Sequence, residues 1–278
     1  MNKNIDTKTV SDFGEEWHKF DQSSLSKEER EKIFSTYFSL FPWNDLPKNP
    51  VGFDLGCGSG RWALLVAPKV KTLHCVDPSF KALQVAKKNL KNQSNIIFHE
   101  SSVEDFKLKP NSMDFGYSLG VLHHVPDTQK GINSCVEKLK SGASFLIYLY
   151  YALDNRPWWF KCIFAGVNAV RFGVSRLPRF LKNFVCETIA VLVYWPLARF
   201  AKLLEKVGFK NVQHIPLSFY RHKSFYVMQT DALDRFGTRL EQRFTKEQIK
   251  TMLETAGLTD IKFRDEEPYW CAIGFKKK

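Results

Sequence analysis

The sequence has no Cys-x-x-Cys pair, no compact run of like charge beyond Lys276-Lys277-Lys278, and no apolar stretch of bilayer length. Each lack excludes something. Cys57, Cys75, Cys135, Cys162, Cys186 and Cys271 stand apart, so a zinc site of the usual ligand spacing is not expected. Scattered single cysteines suit reduced core thiols in a cytosolic protein. The terminal lysines read as a solvated end rather than a polyanion-binding arm. The longest apolar run, Thr188 to Trp195, is far shorter than the roughly 20 residues of a spanning helix. The opening Met1-Asn2-Lys3-Asn4-Ile5-Asp6 has no apolar leader segment, so no secretory signal is expected.

What is present is an ordinary globular mixture with two excesses. The 278 residues suffice for one large α/β domain, or for one domain with a substantial insert. Net charge is +12, which favours acidic partners. Aromatic residues make up 14%, which suits an apolar site, an apolar partner surface or a large core.

Hydrophobic periodicity divides the chain. Residues 1–24 read as a loose arm, and 25–41 as a helix with Ile33, Phe34, Tyr37, Phe38 and Phe41 on one face. From Val51 short apolar strands alternate with helices: strands at 51–55, 72–76, 95–99, 113–118 and 144–151, helices at 61–67, 79–90 and 128–139. That rhythm predicts a doubly wound α/β fold with a mostly parallel sheet. Residues 152–243 break it with Pro157, Pro178, Pro196 and Pro216 among aromatic, basic, helix-like stretches. A helix opening at Thr245, stopped by Gly257, and strands near 259–264 and 269–275 close the chain. The expected organisation is therefore 1–48, a lid and helix; 49–151, the strand–helix core; 152–243, a helical, aromatic insert after strand five; and 244–278, completing the core.

The chemistry concentrates at Asp54-Leu55-Gly56-Cys57-Gly58-Ser59-Gly60-Arg61, where the first strand meets the first helix. Glycines allow a tight turn and a close ligand, and the helix start beyond them offers unpaired N–H groups. Gly58 to Ala63 also fits the dinucleotide pattern, with Asp77 at the spacing of a ribose-binding acid. Asp54 tips the balance. A carboxylate two residues ahead of the first glycine would repel a pyrophosphate on the turn, and it suits a ligand carrying an ammonium group.

Asp54–Gly60 resembles motif I of class I S-adenosylmethionine-dependent methyltransferases, and the loop around His123-His124-Val125-Pro126-Asp127 looks like that of the UbiE-like, or type 11, group. The resemblance implies a seven-stranded Rossmann-like fold whose last strand runs antiparallel between strands five and six. It implies S-adenosylmethionine as cofactor, with Asp54, Gly56, Cys57, Gly58, Gly60 and Arg61 at its methionine end. Asp77, with Pro78 and Ser79, would meet the ribose. Ser102, Val103 and Leu119 would lie near the adenine side; Ser102 stands where many relatives carry Asp, leaving the Val103 N–H to serve.

His124 matches a position beneath the cofactor, and His123 or His124 is the candidate general base; adjacent residues are expected to point apart, and no metal is assigned to them. Trp17 could close over the cofactor. Tyr150, Tyr220, Arg221 and Tyr226 are candidates for the acceptor site. The implied reaction is methyl transfer to a small, lipid-linked or anionic acceptor. The alternatives are a sugar or natural-product acceptor, or a non-catalytic S-adenosylmethionine-binding interaction protein. The insert suits a substrate lid, an anionic membrane surface or a homo-oligomer contact; no specific nucleic acid is expected. The implied location is the cytoplasm, peripheral to the inner membrane face.

Overall fold

A computed structural model describes residues 4–278. The chain divides into two compact units: one built from residues up to Gln22, Arg30–Asp154 and Leu240–Lys278, the other from Ser23–Glu29 and Asn155–Arg239.

The first unit is built on seven strands: β1 (Val51–Leu55), β2 (Thr72–Asp77), β3 (Ile96–Glu100), β4 (Met113–Leu119), β5 (Leu139–Tyr148), β6 (Leu258–Phe263) and β7 (Cys271–Lys276). Their spatial order is β3-β2-β1-β4-β5-β7-β6. The β1, β2, β3, β4 and β5 pairings are parallel, and β7 runs antiparallel to both β5 and β6. This is the doubly wound sheet the strand rhythm predicts, with the reversed last strand. Both faces are covered, so the central strands are apolar on both sides. Phe53, Leu122, Ile132, Phe145 and Leu253 fill one face, and Phe34, Phe38, Trp62, Leu83, Phe115 and Tyr117 the other.

Side-chain caps place the helices. Ser79 Oγ accepts from the Ala82 N–H at the start of α4 (Phe80–Asn89), and Asp127 Oδ1 from the Lys130 N–H at α5 (Thr128–Lys138). Thr245 and Gln248 form a complete capping box at α10 (Lys246–Thr255). Residues 25–41 yield a shorter helix, α2 (Lys27–Tyr37). The stretch expected as a loose arm is instead α1 (Thr7–Lys19), capped by Asp6 Oδ1 on the Thr9 N–H. It packs on α4 because Gly14 has no side chain: a Cβ there would sit 2.3 Å from Ser79 Oγ. Glu15 pairs with Lys81 across this contact.

The second unit is helical: α6 (Trp158–Val174), α7 (Arg179–Ile189), a wide π turn (Ala190–Tyr194), α8 (Trp195–Lys206) and α9 (Phe225–Gly237). From α7 through α8 the helix runs unbroken over 28 residues, Arg179–Lys206. Its buried residues are Lys182, Cys186, Ala190, Tyr194, Ala198 and Ala201. Steps of four drift around an α-helix by about 40° each, and the wider π turn takes the drift back, keeping the stripe on one side. By length and composition alone this helix could cross a membrane. That differs from the short apolar run seen in the sequence, because Glu187 and Pro196 bound the run but do not end the helix.

Candidate active site

The glycine turn leaves the C-terminal end of β1, where ligands bind in open α/β sheets. The Gly56 and Cys57 N–H groups both donate to the Val76 carbonyl, at 2.7 and 3.1 Å. Gly58 has φ +53°, a region that costs an L residue its Cβ clearance. A Cβ on Gly58 would also lie 2.8 Å from the Trp17 indole nitrogen. Trp17, half-buried on α1, thus lies directly against the turn, and the Arg61 guanidinium sits 5.6 Å from the Trp17 ring and 4.3 Å from Trp62. The expected helix at 61–67 is only a single turn, α3 (Ala63–Val66), followed by a tighter one.

Asp77, at the end of β2, organises this turn. Its Oδ2 accepts from the Gly58 N–H at 2.9 Å and its Oδ1 from the Ser79 N–H at 2.8 Å. Burial pushes the carboxyl up to about 6, against the pull of those two bonds. Each oxygen keeps a lone pair for a further donor. Pro78 is half-buried and Ser79 buried beside it.

Asp54 is buried, and neither of its oxygens has a hydrogen-bond partner. Register places it between Cys75 on β2 and Tyr117 on β4. Burial drives its carboxyl up to about 8; the Tyr117 hydroxyl opposes this, though no hydrogen bond of ordinary geometry joins the two, while Asp77 adds to it and Arg61 relieves it. Two carboxyls are therefore held at one turn, one of them with all its acceptor capacity unused. That donor set fits a group bearing an ammonium and ribose hydroxyls, and opposes a pyrophosphate.

Along the cleft edge, Ser102 Oγ donates to Asp105 Oδ2 at 3.2 Å, Val103 is buried, and Leu119 ends β4 in the core. His123 and His124 lie in a 3-10 turn, Leu122–His124. Their rings do not point apart: the centroids are 4.0 Å from each other. His123 is fully buried, stacks on Tyr150 at 3.8 Å, and neither ring nitrogen has a partner. Burial, then His124 and Arg243, hold its imidazole well below the usual range, so it is neutral. His124 Nδ1 meets the Leu240 carbonyl at 2.7 Å, and its ring lies 4.8 Å from Phe13. Arg243 covers the Tyr150 ring at 5.1 Å.

The other acceptor candidates lie in the second unit. Arg221 donates to Glu205 Oε1 at 2.9 Å and to the Ser218 carbonyl at 2.9 Å. The Tyr220 ring lies tilted against Tyr194 at 5.1 Å, and burial, then Asp231, push its hydroxyl far up. Tyr226 lies on α9, its carbonyl accepting from Thr230. The turn, Asp54, Asp77 and Trp17 thus form one cluster; His123, His124 and Tyr150 form another in the same unit. Tyr117, Arg243 and Phe13 were not singled out in the sequence. Tyr117 could have been found by aligning β1 with β4, but Arg243 comes from across a long stretch of chain and carries no local signal.

Residues 53–147 match the family model described as "Methyltransferase domain". The chain is 24% identical over 223 residues to phosphoethanolamine N-methyltransferase 2 of Caenorhabditis elegans, covering 78% of this chain and 45% of that protein. It is 26% identical over 146 residues to the ubiquinone biosynthesis O-methyltransferase of Citrobacter koseri, covering 49% and 60%. The chain spans about half the length of these curated relatives. Two solved structures share the fold: a Bordetella parapertussis protein described as exported (TM-score 0.53, 16% identity, 91% of this chain and 69% of that one) and a Bacillus halodurans C-125 protein named as a candidate methyltransferase (0.51, 13%, 84% and 72%). Sheet order, turn and domain match together define the class: the chain carries a class I S-adenosylmethionine-dependent methyltransferase domain. Within the chain, residues 53–147 are the part that matches the type 11 methyltransferase domain, whose cofactor is S-adenosylmethionine.

Proposed function

We propose that this protein transfers a methyl group from S-adenosylmethionine to a small acceptor that is lipid-linked or anionic. The observation that carries the reading is Asp54: a buried carboxyl with no hydrogen-bond partner, beside a glycine turn held by Asp77. Asp54 and the turn would take the amino-acid end of the cofactor, Asp77 the ribose hydroxyls, and Trp17 would shield that end from water. When bound, the cofactor supplies an electrophilic sulfonium methyl. The protein's work is then to orient and to exclude water. His123, neutral and buried, is the group able to take a proton from an acceptor that must lose one.

Support for the acceptor class comes from the basic and aromatic content of the second unit and from relatives named for phosphoethanolamine and ubiquinone biosynthesis. Incubating the protein with methyl-labelled cofactor and fractionated cell extract, then identifying the labelled product, tests it. Label in a lipid-soluble or phosphorylated product supports the proposal. Label in a neutral sugar replaces the acceptor class. Cofactor binding with no labelled product in any fraction favours a non-catalytic binding protein.

A further inference from the structure

The second unit leaves large apolar side chains uncovered, and they are ordered along one side of its longest helix. Phe180, Phe184 and Leu192 expose 71%, 70% and 68% of their surface, and Trp195, Phe200 and Leu203 continue the row. The opposite side of the same helix is the buried stripe from Lys182 to Ala201. Exposed apolar area of this extent marks an interaction surface. Its charge is also one-sided. Between residues 155 and 210 there are 10 Lys and Arg but only Glu187 and Glu205 as acids. Both acids are engaged inside the unit, Glu187 by Gln229 at 3.2 Å and Glu205 by Arg221 and His222. Lys161, Arg176, Arg179, Lys206 and Lys210 are exposed.

We propose that this face docks on an anionic lipid bilayer, with helix Arg179–Lys206 lying in the membrane plane. Apolar side chains would enter the acyl boundary while the exposed cations meet lipid phosphates. A second copy of the chain fits less well, because a two-fold contact would bring two copies of this strongly basic unit together. Crossing the bilayer fits less well too, since it would strip the buried stripe from its packing and carry Lys182 and Glu187 into hydrocarbon. The proposal is independent of methyl transfer and is tested without cofactor.

The full-length protein is sedimented with vesicles of phosphatidylcholine alone, and with vesicles of equal parts phosphatidylcholine and phosphatidylglycerol. Binding to the anionic vesicles should be about tenfold tighter or more, and should weaken with salt. Arg176→Gln with Arg179→Gln should lower it about tenfold. Phe180→Ser, Phe184→Ser and Leu192→Ser together should abolish it while leaving the thermal melt unchanged, since all three are exposed. Tryptophan fluorescence should be quenched by acyl-brominated lipid, and less so in Trp195→Phe. Equal binding to both vesicles, undiminished binding of the triple variant, resistance to alkaline extraction as for a spanning helix, or a stable dimer that the triple variant dissolves would each overturn the proposal.

Discussion

The Gly58 N–H donates to Asp77 Oδ2 at 2.9 Å, so the acid at the end of β2 also holds the turn at the end of β1. One side chain thus shapes the cleft and presents charge to it. The Ser79 N–H occupies the other oxygen at 2.8 Å. Asp77→Asn should therefore be nearly as harmful as Asp77→Ala, because an amide nitrogen would face one of two N–H donors. Both variants should weaken S-adenosylmethionine and its demethylated product by about a hundredfold, roughly 3 kcal/mol. Titration calorimetry showing near-normal affinity would defeat the assignment.

Asp54 and Asp77 make ligand-free stability fall as pH rises. Their carboxyls are raised by burial to about 8 and about 6. Between the ordinary carboxyl range and those values the folded chain binds more protons than the unfolded one, so raising pH through that window destabilises. Asp54→Asn should flatten the slope and raise the melt at pH 8, by roughly 1–3 kcal/mol. The same variant should bind cofactor more weakly. A melt that rises from pH 5 to pH 8 in the parent, unchanged by Asp54→Asn, would contradict this.

His123 pushes the opposite way at acid pH. Its imidazole is held neutral by burial, so stability is present above the ordinary histidine value and lost as pH falls below it. His123→Phe keeps the stack on Tyr150 and removes the titrating group. It should melt higher than the parent at pH 5 by about 1 kcal/mol, with little difference at pH 8. Equal acid sensitivity of the two proteins would locate the effect elsewhere.

Gly58→Ala carries two penalties, a positive φ and a Cβ 2.8 Å from the Trp17 indole. Backbone strain costs about 1–2 kcal/mol, and the clash displaces Trp17. Adding Trp17→Ala should restore part of the lost cofactor affinity, leaving the backbone share. A double variant no better than Gly58→Ala alone would show that Trp17 does not press on the turn.

The first unit is closed where the second leaves it: the Ala152 N–H donates to the Phe244 carbonyl at 2.8 Å, and Tyr151 bridges Phe244. Replacing 155–239 by a short linker should therefore leave cofactor affinity within about threefold, under 1 kcal/mol. Methyl transfer should be lost. Retained turnover would remove the second unit from acceptor handling.

Much of this fold was written in local patterns. The strands of the sheet were expected within a residue or two at β1, β2, β3 and β4 because each is a short apolar run ending in a polar or glycine residue. At β5 the expectation began at 144, whereas the strand opens at Leu139. Its first turn of sequence, Lys140-Ser141-Gly142, is polar, exposed and irregular against β4, so no alternation marks it. α1 was missed because its apolar stripe is only Val10, Phe13 and Trp17 among polar residues, and its place depends on the small Gly14. Asp54 and Asp77 were legible from spacing. That Tyr117 flanks Asp54 and Arg243 covers Tyr150 depended on strand register and on the closing segment, which no local window contains.

The π turn at Ala190–Tyr194 acts as a phase corrector between α7 and α8. The wide turn absorbs one extra residue, so losing one there would restore ordinary winding with the downstream face nearly unmoved, whereas gaining one would swivel everything downstream by about 100°. After such a gain Ala198 and Ala201 would come off the packed side, and larger neighbours would be driven into a space shaped for methyl groups. Insertion should consequently be tolerated poorly within those five positions, even though Val191, Leu192 and Val193 face outward.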